Sequence, residues 1–234
     1  MRYLGGKAKV ATKLTTFLES VRKPNQMFVD GMVGGCSIVR KMTGERIAAD
    51  SCPYLITFLK CLQDGWTPPE TISEQRYYEI RKMYKEGYHA PVIGFAAYFC
   101  SFGGKFWGGF ARDPKTARDF ANEAYRDALK LMEEIREVKL FCCDYSDLLI
   151  NIIPEKSLVY FDIPYEGTTG YKNKFYNSLF WQVIRIFSNK HDIYISEYQA
   201  PEDFECVWSL KRKTELNTKN GKDTRIEKLF KYKG

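Results

Sequence analysis

The chain has 234 residues, 44% of them hydrophobic, which is enough to bury a sizeable core in one domain or in one domain carrying an insertion. Seven cysteines without a Cys-x-x-Cys spacing, and only two histidines, His89 and His191, argue against a zinc site and for a reducing compartment. The formal charge of +7 is concentrated in residues 211–234, where nine Lys/Arg face Glu215, Asp223 and Glu227. Such a surface suits a polyanion such as nucleic acid, and it equally suits an ordinary solvated end. The first residues lack the apolar run of a signal peptide, and no stretch approaches 18 uncharged apolar residues, so a soluble, cytoplasmic protein is expected.

In chain order, seven short apolar and β-branched runs read as strands: Met27-Phe28-Val29, Arg46 to Ala49, Leu140 to Cys143, Leu158 to Phe161, Asp192 to Ile195, Cys206-Val207-Trp208 and Ile226 to Phe230. Most are near-continuously apolar, as strands covered on both faces should be. Four end in or run into an acid: Asp30, Asp50, Asp144 and Asp162. In an open α/β sheet the ligand crevice lies beyond the carboxyl ends of the strands, so four acids there point to one shared site.

Residues 66–138, between the second and third runs, are too many for one crossover. Their second half predicts an amphipathic helix after Asp113-Pro114, with Ala117, Phe120, Ala124, Ala128, Leu131 and Ile135 at helical spacing. Before it, Ser101 to Arg112 form a glycine-rich, aromatic and basic loop. The expected organisation is an α/β domain interrupted by a small, mainly helical module bearing that loop.

Two motifs carry chemistry. Phe28 to Ser37 is a strand, an acid and a glycine-rich turn ahead of a helix start, able to bring backbone N–H groups close to a nucleotide. It departs from the G-x-G-x-x-G dinucleotide fingerprint. About twenty residues later, Asp50 can accept both hydroxyls of a ribose, or simply cap a helix. The second motif is Asp162-Ile163-Pro164-Tyr165. The lone pair of an aromatic amino group is delocalised into its ring, so a catalyst must draw that density back. The Asp162 carboxylate and the Ile163 carbonyl can each accept one amino hydrogen, Pro164 stiffens the turn that aims them, and Tyr165 offers a stacking face. Standing alone, the tetrapeptide would read as a turn after a buried strand.

It stands in a series. Arg2 to Lys7 with its Gly-Gly-Lys, Phe28 to Ser37, Ala49-Asp50, Asp144-Tyr145, Tyr160 to Tyr171, Ser196 to Pro201 and Arg225 to Leu229 resemble, in order, the Dam-like (D12 class) DNA adenine-N6 methyltransferase family. The resemblance implies an α/β, Rossmann-like class I methyltransferase fold: a mixed, mostly parallel seven-stranded sheet with an inserted small helical target recognition domain. Residues 1–65 and 139–234 would form the catalytic domain and 66–138 the insertion. It further implies S-adenosylmethionine as methyl donor, no metal, and double-stranded DNA as partner, in a restriction-modification, phage or solitary setting. Asp162, Ile163, Pro164 and Tyr165 match the catalytic motif, with Ile163 where the family usually has proline. Because that position would contribute its carbonyl and not its side chain, activity is expected to survive.

Tyr3, Lys7, Asp30, Gly34, Gly35, Asp50, Asp144, Tyr145 and Asp162 match cofactor contacts. In the insertion, Lys105 and Arg112 are candidate contacts to phosphates or guanine edges, and Phe106 or Trp107 a candidate wedge into the base stack; Arg2 is a further DNA candidate. The competing expectations are the same chemistry on RNA or single-stranded DNA, a catalytically weak DNA- or cofactor-binding homologue, and a nicotinamide-dependent dehydrogenase.

Overall fold

The computed structural model describes residues 2–113, 116, 118–164, 175–213 and 224–234. Tyr165, the residues 167–171 of the extended motif, and Pro114 and Ala117 of the predicted helix lie outside the described residues. All seven apolar runs are strands: β1 (Phe28–Asp30), β2 (Arg46–Asp50), β3 (Val138–Cys142), β4 (Leu158–Asp162), β5 (Asp192–Glu197), β6 (Phe204–Lys213) and β7 (Thr224–Tyr232). They form one sheet in the order β3-β2-β1-β4-β5-β7-β6. β1 to β5 are mutually parallel, and β7 runs antiparallel to both its neighbours. The chain thus winds outward from β1 in one direction and from β4 in the other, and the β1/β4 boundary is the switch point where such sheets hold ligands. This is the mixed, mostly parallel, Rossmann-like seven-stranded sheet expected from the sequence.

The near-continuous apolarity of the strands has a two-sided cause. On one face Phe28, Ala48, Leu158, Tyr160, Tyr194 and Leu229 pack under α1 (Ala11–Val21) and α2 (Pro53–Gln63). On the other face Val29, Ile47, Val159, Phe161, Ile193 and Ile195 pack with α6 (Tyr145–Asp147) and α7 (Asn177–Phe187), through Phe180, Trp181 and Ile184. Alternate residues of each strand serve opposite faces, so both sets must be apolar.

The described residues of segment 66–138 are mainly helical. They hold α3 (Glu74–Lys85), the short α4 (Pro91–Gly94) continued by a π-turn over Phe95–Phe99, and α5 (Phe120–Glu134). The cap of α5 differs from the Asp113-Pro114 reading: Asp119 accepts from the N–H groups of Ala121 (2.9 Å) and Asn122 (3.0 Å). Ala121, Ala124, Ala128 and Leu131 form its buried stripe. The apolar cluster under α1 and α2 continues through Tyr77, Ile80, Phe95, Phe99 and Trp107, so the module and the sheet share one core. No described helix is long and apolar enough to cross a membrane.

Candidate active site

Strand register brings the acids together. Asp30 is paired with Ala48 of β2 and Tyr160 of β4, while Asp50 and Asp162 lie two residues further along their strands. A step of two preserves the face, so all three carboxylates rise on the side covered by α1 and the amino-terminal residues. They line one cavity of about 480 Å³ together with Tyr3, Lys7, Gly34, Gly35, Asp144, Tyr145 and Pro164. That volume falls in the range of about 300–1,000 Å³ typical of small-molecule sites.

The most polar corner centres on Lys7. Its ammonium is buried, 2.6 Å from Asp162 Oδ1 and 3.7 Å from Glu227 Oε2 of β7. Burial pushes the Asp162 carboxyl above the usual carboxylate range, and Lys7 pulls it back. Beneath it, the Tyr160 hydroxyl shares a 2.9 Å hydrogen bond with Ser196 Oγ, and burial keeps that phenol protonated. Asp30 is 2% exposed. Its Oδ2 accepts the Val39 N–H at 3.3 Å, while its Oδ1 has no partner among the described residues. Burial, then the charge of Asp162, raises this carboxyl to about 8.

At the far end, Asp50 accepts the Gly34 N–H at 3.2 Å on Oδ2 and the Cys52 N–H at 2.9 Å on Oδ1. Each oxygen retains acceptor capacity, which suits hydroxyl donors. Asp144 is more exposed: its Oδ1 caps α6, accepting from Ser146 N–H and Oγ and from Asp147 N–H. The Ser146 hydrogen bond holds its carboxyl below the usual range.

The glycine turn is sterically specified. A Cβ on Gly31 would stand 2.1 Å from Phe161 Cε1, a ring fully buried in the second core. Gly34 has φ +45°, and a Cβ there would meet the Tyr3 ring at 2.8 Å. Tyr3 in turn stacks on Tyr98, with centroids 5.0 Å apart. The amino-terminal segment therefore forms a wall of the cavity, pinned further by the Leu4 N–H donating to the Gly104 carbonyl at 3.1 Å.

In the tetrapeptide, Asp162 and Pro164 face the cavity. Ile163 turns the other way, 2% exposed among the Phe161 and Phe180 cluster. Besides the carbonyl that the sequence reading assigns to this position, its side chain anchors the turn in the core. Tyr165 lies outside the described residues.

Among the DNA candidates, Lys105 is exposed, and Arg112 is exposed and paired with Glu74 at 3.0 Å. Arg2 lies over the Phe120 ring, 4.4 Å from its centroid, and 3.7 Å from Glu123 Oε2. Phe106 lines the cavity and packs against Tyr98 and Tyr84. Trp107 is 8% exposed, wedged between Tyr77 (5.3 Å) and Tyr84 (5.6 Å), so it builds the module core. The loop's exposed aromatic is instead Phe102, 68% accessible. The cavity also draws on Tyr98, and its Lys7 corner on Glu227, neither of them a sequence-predicted site residue. Glu227, an acid inside an otherwise apolar and basic strand, was a readable signal; Tyr98, in an apolar helical run, gave none. No group of three or more His, Cys, Asp or Glu among the described residues is placed to hold a metal ion.

No protein-family model and no curated protein matches the chain. Among solved structures it is similar to the rRNA methyltransferase aviRa from Streptomyces viridochromogenes, with a TM-score of 0.45 and 14% identity over 99% of this chain and 87% of that chain. It is also similar to an rRNA methylase from Streptococcus thermophilus, with a TM-score of 0.39 and 11% identity over 94% of each chain. A third is SMU.1697c from Streptococcus mutans in complex with SAH, with a TM-score of 0.40 and 11% identity over 94% of this chain and 97% of that chain.

Proposed function

We propose that the protein is an S-adenosylmethionine-dependent methyltransferase that methylates the exocyclic N6 of adenine in duplex DNA. The observation that carries this reading is one cavity that joins a hydroxyl-accepting acid, Asp50, at one end to the Lys7–Asp162–Pro164 corner at the other. The cofactor fits the residues present. Asp50 suits its ribose hydroxyls, and the unpartnered, buried Asp30 Oδ1 suits a donor such as its ammonium. Tyr3 and the Gly34-Gly35 turn wall the space between. When bound, S-adenosylmethionine supplies a methyl group on a positively charged sulfur.

The chain's own residues do the rest. Asp162 accepts one N6 hydrogen and holds the amine's electron density on nitrogen, and it takes the proton that nitrogen releases once the N–C bond has formed. Burial raises its basicity for that task. Lys7 bridges Asp162 and Glu227, so it can lean on Glu227 as the amine engages Asp162. Exposed Phe102, with Lys105 beside it, would fill the gap left by a flipped base. Positioning and preorganised charge supply the rate.

The test is to incubate the protein with labelled S-adenosylmethionine and unmethylated duplex DNA, RNA or no acceptor across a range of salt, then identify the modified nucleoside. N6-methyladenine in DNA, lost in Asp162→Ala, is expected. Its absence from DNA overturns the reading, and its persistence in Asp162→Ala overturns the assignment of Asp162.

A further inference from the structure

The basic carboxyl-terminal residues form a hairpin that outgrows the sheet. β5 pairs with β7 only as far as Glu197↔Lys228, whereas β6 and β7 stay paired through Leu210↔Glu227, Lys211↔Ile226, Arg212↔Arg225 and Lys213↔Thr224. Four pairs at about 3.4 Å per residue carry the ribbon about 13 Å past the carboxyl end of β5, close to the roughly 12 Å width of a DNA major groove. The overhang stands on the catalytic side, because Asp162 is paired with Ser196, the residue before β5 ends.

The overhang's backbone carries Lys211, Arg212, Lys213 and Arg225 against a single acid, Glu227. Glu227 does little to cancel them, since it is buried and turned inward to Lys7. A second flank is the loop bearing Phe102, Lys105 and Arg112, whose Gly104 and Phe106 line the cavity. The amino-terminal segment joins the two flanks, bonded to the loop at Gly104 and to the hairpin at Glu227. From Arg2 to Lys7 it spans at most about 18 Å.

We propose that the β6–β7 overhang is a second nucleic-acid arm, which grips duplex phosphates beyond the carboxyl end of β5. The duplex would then be held from two flanks with Asp162 between them. This rests on the reading of the protein as a duplex-DNA enzyme and deepens it, assigning the non-specific, salt-dependent part of acceptor binding to a surface outside the insertion.

The test measures binding of a fluorescent duplex oligonucleotide by anisotropy, with S-adenosylhomocysteine present, from 50 to 200 mM salt. It compares the wild type with Lys211→Gln/Arg212→Gln/Lys213→Gln. Each lost phosphate contact should lower the slope of log affinity against log salt by about 0.9. The triple variant should also show a raised KM for DNA, with S-adenosylhomocysteine affinity unchanged by calorimetry. An unchanged slope and KM with intact cofactor binding overturn the arm and leave the enzyme reading standing. A wild type that fails to bind duplex at 50 mM salt overturns both. Should the triple variant lose cofactor binding through misfolding, exposed Lys211→Gln alone decides, by a slope reduced by about 0.9 or not at all.

Discussion

Replacing Asp30 by asparagine should change how stability depends on pH. In the folded chain this carboxyl is buried against the charge of Asp162 and holds its proton up to about pH 8, whereas its ordinary value is 3.8. Between those limits the native state binds a proton that the unfolded chain has released, so stability falls as pH rises. The loss approaches about 1.4 kcal/mol per pH unit, or about 3 kcal/mol from pH 5 to 7, and it levels off above pH 8. An asparagine keeps the volume, and its carbonyl can still accept the Val39 N–H that Asp30 holds at 3.3 Å. It has no proton to lose. Urea unfolding at pH 5, 6, 7 and 8 should therefore show Asp30→Asn gaining on the wild type by about 3 kcal/mol between pH 5 and 7. Asp50 and Asp162, also raised by burial, slope the same way in both proteins and drop out of the difference. A difference that stays constant over this range would mean that Asp30 is ionised in the fold, and the reasoning fails.

Gly31→Ala forces a Cβ to 2.1 Å from the Phe161 ring, which Phe180 locks edge-on at 5.4 Å. Overpacking of this kind costs about 1–3 kcal/mol or more, read by urea unfolding, and a second change of Phe161→Leu should recover part of it. Gly34→Ala puts a side chain at φ +45° and drives Tyr3 from its place over Tyr98. The displaced Tyr3 ring should weaken S-adenosylhomocysteine binding by about 1.4 kcal/mol, on the order of tenfold, by calorimetry; unchanged affinity would remove Tyr3 from the proposed cofactor wall. Ile163→Ala should cost about 2–5 kcal/mol of stability, because the side chain is core; a loss below about 0.5 kcal/mol would return the position to its backbone role alone.

The strands were legible because burial on both faces demands uninterrupted apolar runs, and the acids because each ends such a run. Register was not legible. That Asp30, Asp50 and Asp162 share a face follows from the pairing of Asp30 with Ala48 and Tyr160, a long-range fact no local pattern encodes. The same limit explains Trp107 and Phe102. Both are aromatics in one glycine-rich loop, yet Trp107 is buried against Tyr77 and Tyr84, on a helix some twenty to thirty residues earlier, while Phe102 is exposed. The α5 cap is Asp119 and not Asp113 because two acids precede the apolar stripe and only packing chooses between them. The burial of Ile163 is illegible for a related reason: its side chain packs against Phe161 and Phe180, and Phe180 lies on a helix beyond the motif.

The position of Lys7 ties these pieces together. A lysine 4% exposed must have its charge answered, and two acids do so, Asp162 at the end of β4 and Glu227 on β7. Neither is near Lys7 in sequence, so the amino-terminal segment, the reactive corner and the basic hairpin are fixed to one another by one ammonium group. Tyr3, four residues earlier, fixes the same segment to the glycine turn and to the helical module through Tyr98. A duplex gripped by loop and hairpin would press on both ends of this segment. On the function proposed above, acceptor binding reaches Asp162 through Lys7 without any rearrangement of the sheet, and the bound cofactor through Tyr3.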